Sequence, residues 1–208
     1  MRKMKPILFN LPMLRSVDSE VKTETRRIAF KEQELYQFRS SHYPDGWWFK
    51  GRVYHSWESM LTAPQGLLSY CKYRAGDILY VREAFGYASD VLGGAKGPVY
   101  RKDYSDTELA MLAEKGWKWR PSLHMPKELA RTFLKVKEIR LEPLQNISLE
   151  PHAVFREGCE SNSDFIAVWN STVPKADLLT YGFNANPWVW VISFEKISRK
   201  EALKTAIL

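Results

Sequence analysis

The stretch Thr132-Phe133-Leu134-Lys135-Val136-Lys137-Glu138-Ile139-Arg140-Leu141-Glu142 decides the fold class. Apolar and charged residues alternate along it, as they do in a strand with one buried face. The parity of that alternation changes between Val136 and Ile139. One extra residue at Lys137-Glu138 explains the change, and such a bulge bends the strand. Two further strands are legible. Ile78 to Phe85 follows the turn Arg74-Ala75-Gly76-Asp77, and Trp188 to Phe194 follows Asn186-Pro187.

Between the strands the helices are short. Met13, Leu14, Val17 and Val21 have helical spacing after Pro12, a residue suited to a first turn. Lys22 then sits at a helix-to-strand junction. Period two over Lys22 to Ile28 places Thr23, Thr25 and Arg27 on one face. Ser105 with Glu108 makes a capping box for a helix reaching Lys115 and closed by Gly116. Ser148 to Glu157 reads as a helix ended by Gly158, and Asp164 to Asn170 as another with Phe165, Ile166 and Trp169 inward. The tail after Lys200 reads as a frayed helix. Curved strands, few long helices and no βαβ rhythm indicate an α+β fold, a small β-barrel decorated with short helices. Residues 1–208 read as a single domain. Insertions lie at about 31–70, with a hairpin arm from Trp47 to His55, and at about 87–118.

The composition, 45% hydrophobic and 26% charged over 208 residues, excludes disorder, collagen-like repeats and a small disulfide scaffold. No run reaches the roughly 18 apolar residues needed to span a bilayer. The basic amino terminus is interrupted by Pro6, Asn10 and Pro12 and lacks a small-residue cleavage site, so a cytoplasmic protein without a membrane partner is expected. A net charge of +7 is compatible with a nucleic-acid partner. Cys71 and Cys159 form no CxxC and have no ligand-spaced neighbours, so reduced, partly buried thiols and no metal are expected. No cofactor is indicated. Gly93-Gly94-Ala95-Lys96-Gly97 lacks the phosphate-loop pattern.

Eight Trp, ten Tyr and ten Phe, several interleaved with Arg and Lys, fit either a core or base stacking. In Trp119-Arg120-Pro121-Ser122-Leu123-His124-Met125-Pro126 two prolines stiffen a loop rich in polar groups. Trp119, Arg120 and His124 are therefore candidates for holding a substrate, although a lone His equally serves as a hydrogen-bonded structural residue. Arg82-Glu83 at a strand end marks either a cavity or a salt bridge.

Lys22-Thr23-Glu24-Thr25-Arg26-Arg27, Gly76 to Glu83, Ile147-Ser148 leading to Glu157-Gly158, and the terminal Trp188-Val189-Trp190-Val191-Ile192-Ser193-Phe194-Glu195 strand together resemble the ASCH family of the PUA-like superfamily. The Trp119–Pro126 segment and the Asn186–Trp190 strand look like its phage and prophage branch. The resemblance implies a PUA-like barrel whose cleft takes a modified nucleoside or single-stranded nucleic acid, RNA more than DNA. Some small bacterial relatives remove the acetyl group from N4-acetylcytidine with a Lys, a Thr and a Glu. By motif these are Lys22, Thr25 and Glu157, with Glu83 as the other available carboxylate, and Arg27 matches the family's Arg. The Gly usual two residues before the Lys is Glu20 here, and Ser148 to Glu157 is about two residues longer than the pattern.

Chemically, a Thr hydroxyl needs a base. A Lys desolvated beside Arg26 and Arg27 can be one. A carboxylic acid can then protonate the leaving amine. The same Lys22 and Arg27 also serve as phosphate-contacting cations, with Thr25 a plain strand residue. A hydrolase, a non-catalytic nucleic-acid binder and a ribonuclease thus stand as the expected classes, with Arg27, Arg82, Glu83, Trp119, Arg120 and His124 around the substrate.

Overall fold

A computed structural model describes residues 4–30, 35–87 and 97–207. The stretch read first from the sequence is β9 (Phe133–Pro143), and it pairs antiparallel with β10 (Trp188–Ile197). Ser193 lies opposite Glu138 but Phe194 lies opposite Val136, so Lys137 is the extra residue of a bulge. That bulge lets Val136 and Leu141 share one buried face with Trp190, Ile192 and Phe194 despite their opposite parity. β1 (Lys5–Leu8), β2 (Glu24–Ile28) and β6 (Ile78–Arg82) complete a five-stranded sheet of order β1-β6-β9-β10-β2, in which β1 and β6 run parallel.

Among the described residues this sheet does not close into the expected barrel. β1 and β2 are its free edges. The edges nevertheless approach each other, since Arg27 Nη2 on β2 donates to the Leu8 carbonyl on β1 at 2.6 Å. The outcome is an α+β fold around an open, curved sheet.

Three hydrophobic clusters pack against the sheet, the third joining Ile78, Tyr80 and Phe133 to Met4 and Ala202. On one face Ile7, Leu79, Val136, Trp190 and Ile192 pack with Leu14 and Val17 of α1 (Leu11–Asp18). The same cluster takes in Phe49, Met60 and Leu67, which lie between β2 and β6 in sequence. That segment carries a three-stranded sheet, β3 (Leu35–Phe38), β4 (Gly46–Phe49) and β5 (Arg52–Tyr54), followed by α2 (Trp57–Thr62). On the other face Val189 and Val191 meet Leu144, Ile147, Val154 of α4 (Ala153–Arg156), and Phe165 and Trp169 of α5 (Asn162–Thr172). A small pair, β7 (Phe85–Tyr87) with β8 (Pro98–Tyr100), leads into α3 (Asp106–Glu114), which has the expected capping box. The Gly93–Gly97 loop, but for Gly97, lies outside the described residues.

Three helix expectations need correction. α1 stops at Asp18 rather than Val21, which is exposed. The Ser148–Glu157 helix is reduced to α4, because Pro151 interrupts it and His152 is left-handed at φ +62°. After α6 (Leu178–Tyr181), the terminal α7 (Arg199–Ile207) is docked rather than frayed, with Ala202 fully buried against Tyr80 and Phe133. No helix among the described residues is long and apolar enough to cross a membrane.

The turn from α1 into β2 holds Glu20 at φ +60°, a conformation that favours glycine. Glu20→Gly should therefore raise stability by about 1 kcal/mol, since a left-handed L-residue costs roughly that much. Urea unfolding measures it, and an unchanged or lowered midpoint would contradict the assignment of strain.

Candidate functional site

Lys22 is fixed by the turn that follows α1. The Val21 and Lys22 amides both donate to the Ser16 carbonyl at 3.1 Å, and the Thr23 amide donates to the Arg156 carbonyl at 2.9 Å. Gly158, at φ +79°, allows the Glu157 corner to press against this turn. A Cβ there would lie 2.5 Å from Ser16 Oγ and 3.2 Å from Lys22 Cβ. As a result Lys22 Nζ donates to Glu157 Oε2 at 2.6 Å and to the Glu157 carbonyl at 2.7 Å. Both side chains are withdrawn from solvent, at 0% and 2% exposure.

The pair belongs to a larger set. Arg26 Nη1 donates to Glu157 Oε1 at 3.0 Å and its Nη2 to Glu142 Oε1 at 2.8 Å. Arg140 donates to Glu24 at 3.0 Å and to Glu142 at 3.2 Å. Ser193 Oγ also donates to Glu24, at 3.1 Å. Arg156 pairs with Glu24 at 3.3 Å, and both Arg140 and Arg156 reach Glu150. Sheet register explains the assembly. Glu24 and Arg26 of β2 and Arg140 and Glu142 of β9 flank β10, which presents only Ser193, Val191 and Val189 between them. Long charged side chains close over those short residues. Four cations meet four carboxylates, with Lys22, Arg26 and Glu157 buried and Arg156 and Glu150 open to solvent.

Burial lowers the pKa of Lys22, and the Arg27 charge adds to this, while Glu157 opposes it without cancelling it. For Glu24, burial alone would raise the carboxyl, but Arg140, Arg156 and Arg26 outweigh it and hold it below its ordinary range. Burial pushes the nearby Cys159 thiol up. Cys159 and Cys71 are both buried free thiols.

Thr25 lies on the opposite face of β2 from Arg26, across from Ile192, and is 2% exposed. Arg27 shares that face, and burial lowers its pKa. The Phe9 ring joins it to Lys22, since Lys22 Nζ is 5.6 Å and Arg27 Cζ 5.7 Å from the ring centroid. A groove of about 640 Å³ opens beside this turn, walled by Lys22, Thr23, Glu24, Lys137, Arg156 and Lys196. Thr25 and Glu157 do not line it.

The remaining candidates gather elsewhere. Glu83 is fully buried and held by the Arg131 fork at 3.1 and 2.9 Å and by Lys102 at 3.3 Å. The salt-bridge reading of Arg82-Glu83 is therefore the one this carboxylate follows. Arg82 donates to the Leu123 carbonyl at 3.0 Å and to Tyr80 OH at 3.3 Å. Trp119 packs edge-on against Tyr104 and Trp117, and exposed Arg120 lies 5.0 Å over the Tyr87 ring. His124 is exposed on a turn. Among the described residues, no hydrogen bond, ion pair or ring contact joins these to Lys22, Thr25 or Glu157.

Sequence reasoning missed Glu24, Arg140, Glu142, Glu150 and Arg156, and gave Arg26 only an auxiliary place. The signal was present as opposite charges two residues apart, Glu24/Arg26 and Arg140/Glu142, on strands that otherwise look half-buried. Phe9 left no comparable signal. Among the described residues no cluster of His, Cys, Asp or Glu is arranged to hold a metal ion. Compared with known proteins, the chain matches no protein-family model, no curated protein and no solved structure.

Removing one partner from a buried ion set strands the others. Arg26→Met, which leaves Glu157 and Glu142 short of a cation, should cost about 3–5 kcal/mol in urea unfolding. A loss below about 1 kcal/mol would show the network to be surface-like. The depressed Glu24 carboxyl adds stability that is complete above its unfolded value of about 4.5 and is lost as pH falls through its lower folded value. Thermal midpoints should thus fall steeply below about pH 4.5, and Glu24→Gln should flatten that fall.

Proposed function

We propose that the chain is an ASCH-type, PUA-like protein of the cytoplasm acting on nucleic-acid components. In this reading Lys22, Thr25 and Glu157 hydrolyse the amide of an acylated nucleoside such as N4-acetylcytidine. The observation that carries the reading is the contact between Lys22 and Glu157, 135 positions apart in sequence and 2.6 Å apart in a fully desolvated setting. The bulged β9 and the Arg27 bridge between the sheet's two edges are features of a strongly curved sheet, and they support the PUA-like reading.

The chemistry follows from the groups present. A lysine whose pKa is lowered by burial is neutral in a larger fraction of molecules than an exposed one. Neutral Lys22 takes a proton from the Thr25 hydroxyl, or from a water which that hydroxyl positions. The oxygen then attacks the acetyl carbonyl, the amide C–N bond breaks, and Glu157 passes the proton gathered by Lys22 to the departing N4 amine. Acetate and cytidine result, directly from water attack or after water cleaves an acetyl-threonine. Arg27 and Phe9 border the base.

A second reading, a non-catalytic binder of RNA or of a modified base, is favoured by a specific observation. Lys22, Thr25 and Glu157 are 1%, 2% and 2% exposed, and Glu157 already satisfies Lys22 and Arg26.

Incubation with N4-acetylcytidine, followed by chromatography for cytidine, decides between them. Turnover is expected for the wild type, with Lys22→Ala and Thr25→Ala each lowering it by about 10²-fold or more. The rate should rise with pH to an inflection below the ordinary lysine value of 10.5. Absence of turnover with every acylated nucleoside tried would leave the binder.

A further inference from the structure

We infer that the cleft beside β5, in the segment inserted between β2 and β6, binds a stretch of single-stranded nucleic acid, holding phosphates on Lys50 and Arg52 and a base against Tyr70. Two hollows meet there. One, of about 640 Å³, lies between Arg52–Tyr54 and Ala63–Gln65. The other, of about 260 Å³, runs from Lys50 and Arg52 to Ser69 and Tyr70. They share Arg52, Pro64 and Gln65, and among the described residues no acidic side chain lines either one. The groove beside Lys22 is different, with Glu20, Glu24, Glu138 and Glu195 in its walls.

The cations are displayed rather than consumed. Lys50 and Arg52 are exposed, and no ion pair among the described residues engages either. Lys50 Nζ rests 4.7 Å from the Tyr70 ring, which places a phosphate-binding group next to a stacking surface. Tyr70 is 46% exposed, and its ring is braced edge-on by buried Phe49 at 5.2 Å. Gln65 and Ser69 add groups that can contact a base edge or a sugar.

The local backbone sets where the two cations emerge. Lys50 and Gly51, at φ +47° and +77°, form the two-residue connection of the β4–β5 hairpin, with Phe49 opposite Arg52. Asn or Gly fits such a turn without strain, yet a lysine stands there. A tight hairpin thus projects two cations on either side of one glycine beside an exposed aromatic. That combination matches an anionic backbone carrying unstacked bases, and a duplex offers no free base to Tyr70. The inference rests on the nucleic-acid side of the function proposed above, and does not require catalysis.

The test is fluorescence anisotropy of a labelled ten-residue oligouridylate against the full chain, over a series of salt concentrations. The double variant Lys50→Gln/Arg52→Gln should bind more weakly and flatten the plot of log affinity against log salt by about 1.4, the amount for two phosphate contacts on a single strand. Tyr70→Ala should cost about fivefold or more, with Tyr70→Phe close to wild type. Circular dichroism confirms folding of each, and the double variant touches only exposed side chains. Wild-type affinity and slope in the double variant would overturn the inference, as would equal binding of a duplex of the same length. The two proposals fail separately. Oligonucleotide binding that depends on Lys50 and Arg52 without acylnucleoside turnover removes the hydrolase alone. Turnover with binding indifferent to these residues removes the cleft alone.

Discussion

Charge neutralisation without water is the constraint on which this molecule depends. Lys22 and Arg26 are buried on a sheet face beside α4, where an unpaired ion would cost several kcal/mol, while Arg140 and Arg156 close the solvent edge of that face. Four carboxylates remove that cost only if β2, β9 and the Glu157 corner hold their places together. The register of three strands, the bulge at Lys137 and the cramped Gly158 turn are therefore linked. A shift in any one of them would strand a charge.

The end of α1 ties this cluster to a second one. Asp18 stands at the helix C-terminus, where the dipole disfavours an anion, and it is compensated by Lys102 and Lys196. Burial alone would raise its pKa, but these two lysines outweigh it and hold the carboxyl low. Lys102 also contacts Glu83, which Arg131 holds through Nε and Nη2, while Lys196 walls the groove beside Lys22. The helix that delivers the chain to Lys22 is thus anchored by ions at its last residue. Glu83 works as part of that anchor, and the candidates Trp119, Arg120 and His124 belong to the neighbouring β7–β8 region.

Much of the architecture was legible because it is local. The parity change in β9 and the Ser105 capping box are each written within a few residues, whereas the turn at Lys50-Gly51 inside the expected Trp47–His55 arm was not read. Barrel closure was not legible, since it depends on whether β1 and β2, distant in sequence, exchange backbone hydrogen bonds. Here a single arginine side chain spans them instead. At the site, the family resemblance implied Glu157 as the partner of Lys22, with Glu83 as the other carboxylate, and the structure joins Lys22 to Glu157. The ion network was not legible, because alternation along one strand does not reveal which strand lies two places away. α4 was misjudged for a plainer reason, as Pro151 sits inside the apolar pattern that suggested a longer helix.

The central claim is that desolvation at Lys22 prevails over the carboxylate beside it, leaving an amine able to act as a base. Selective isotope labelling of lysine side chains, with the Lys22 resonance assigned by its loss in Lys22→Met, reports this directly through an NMR pH titration. Lys22 is expected to lose its proton below the ordinary value of 10.5. Titration at or above that value would mean that Glu157 wins and that Lys22 is a permanently charged structural tie.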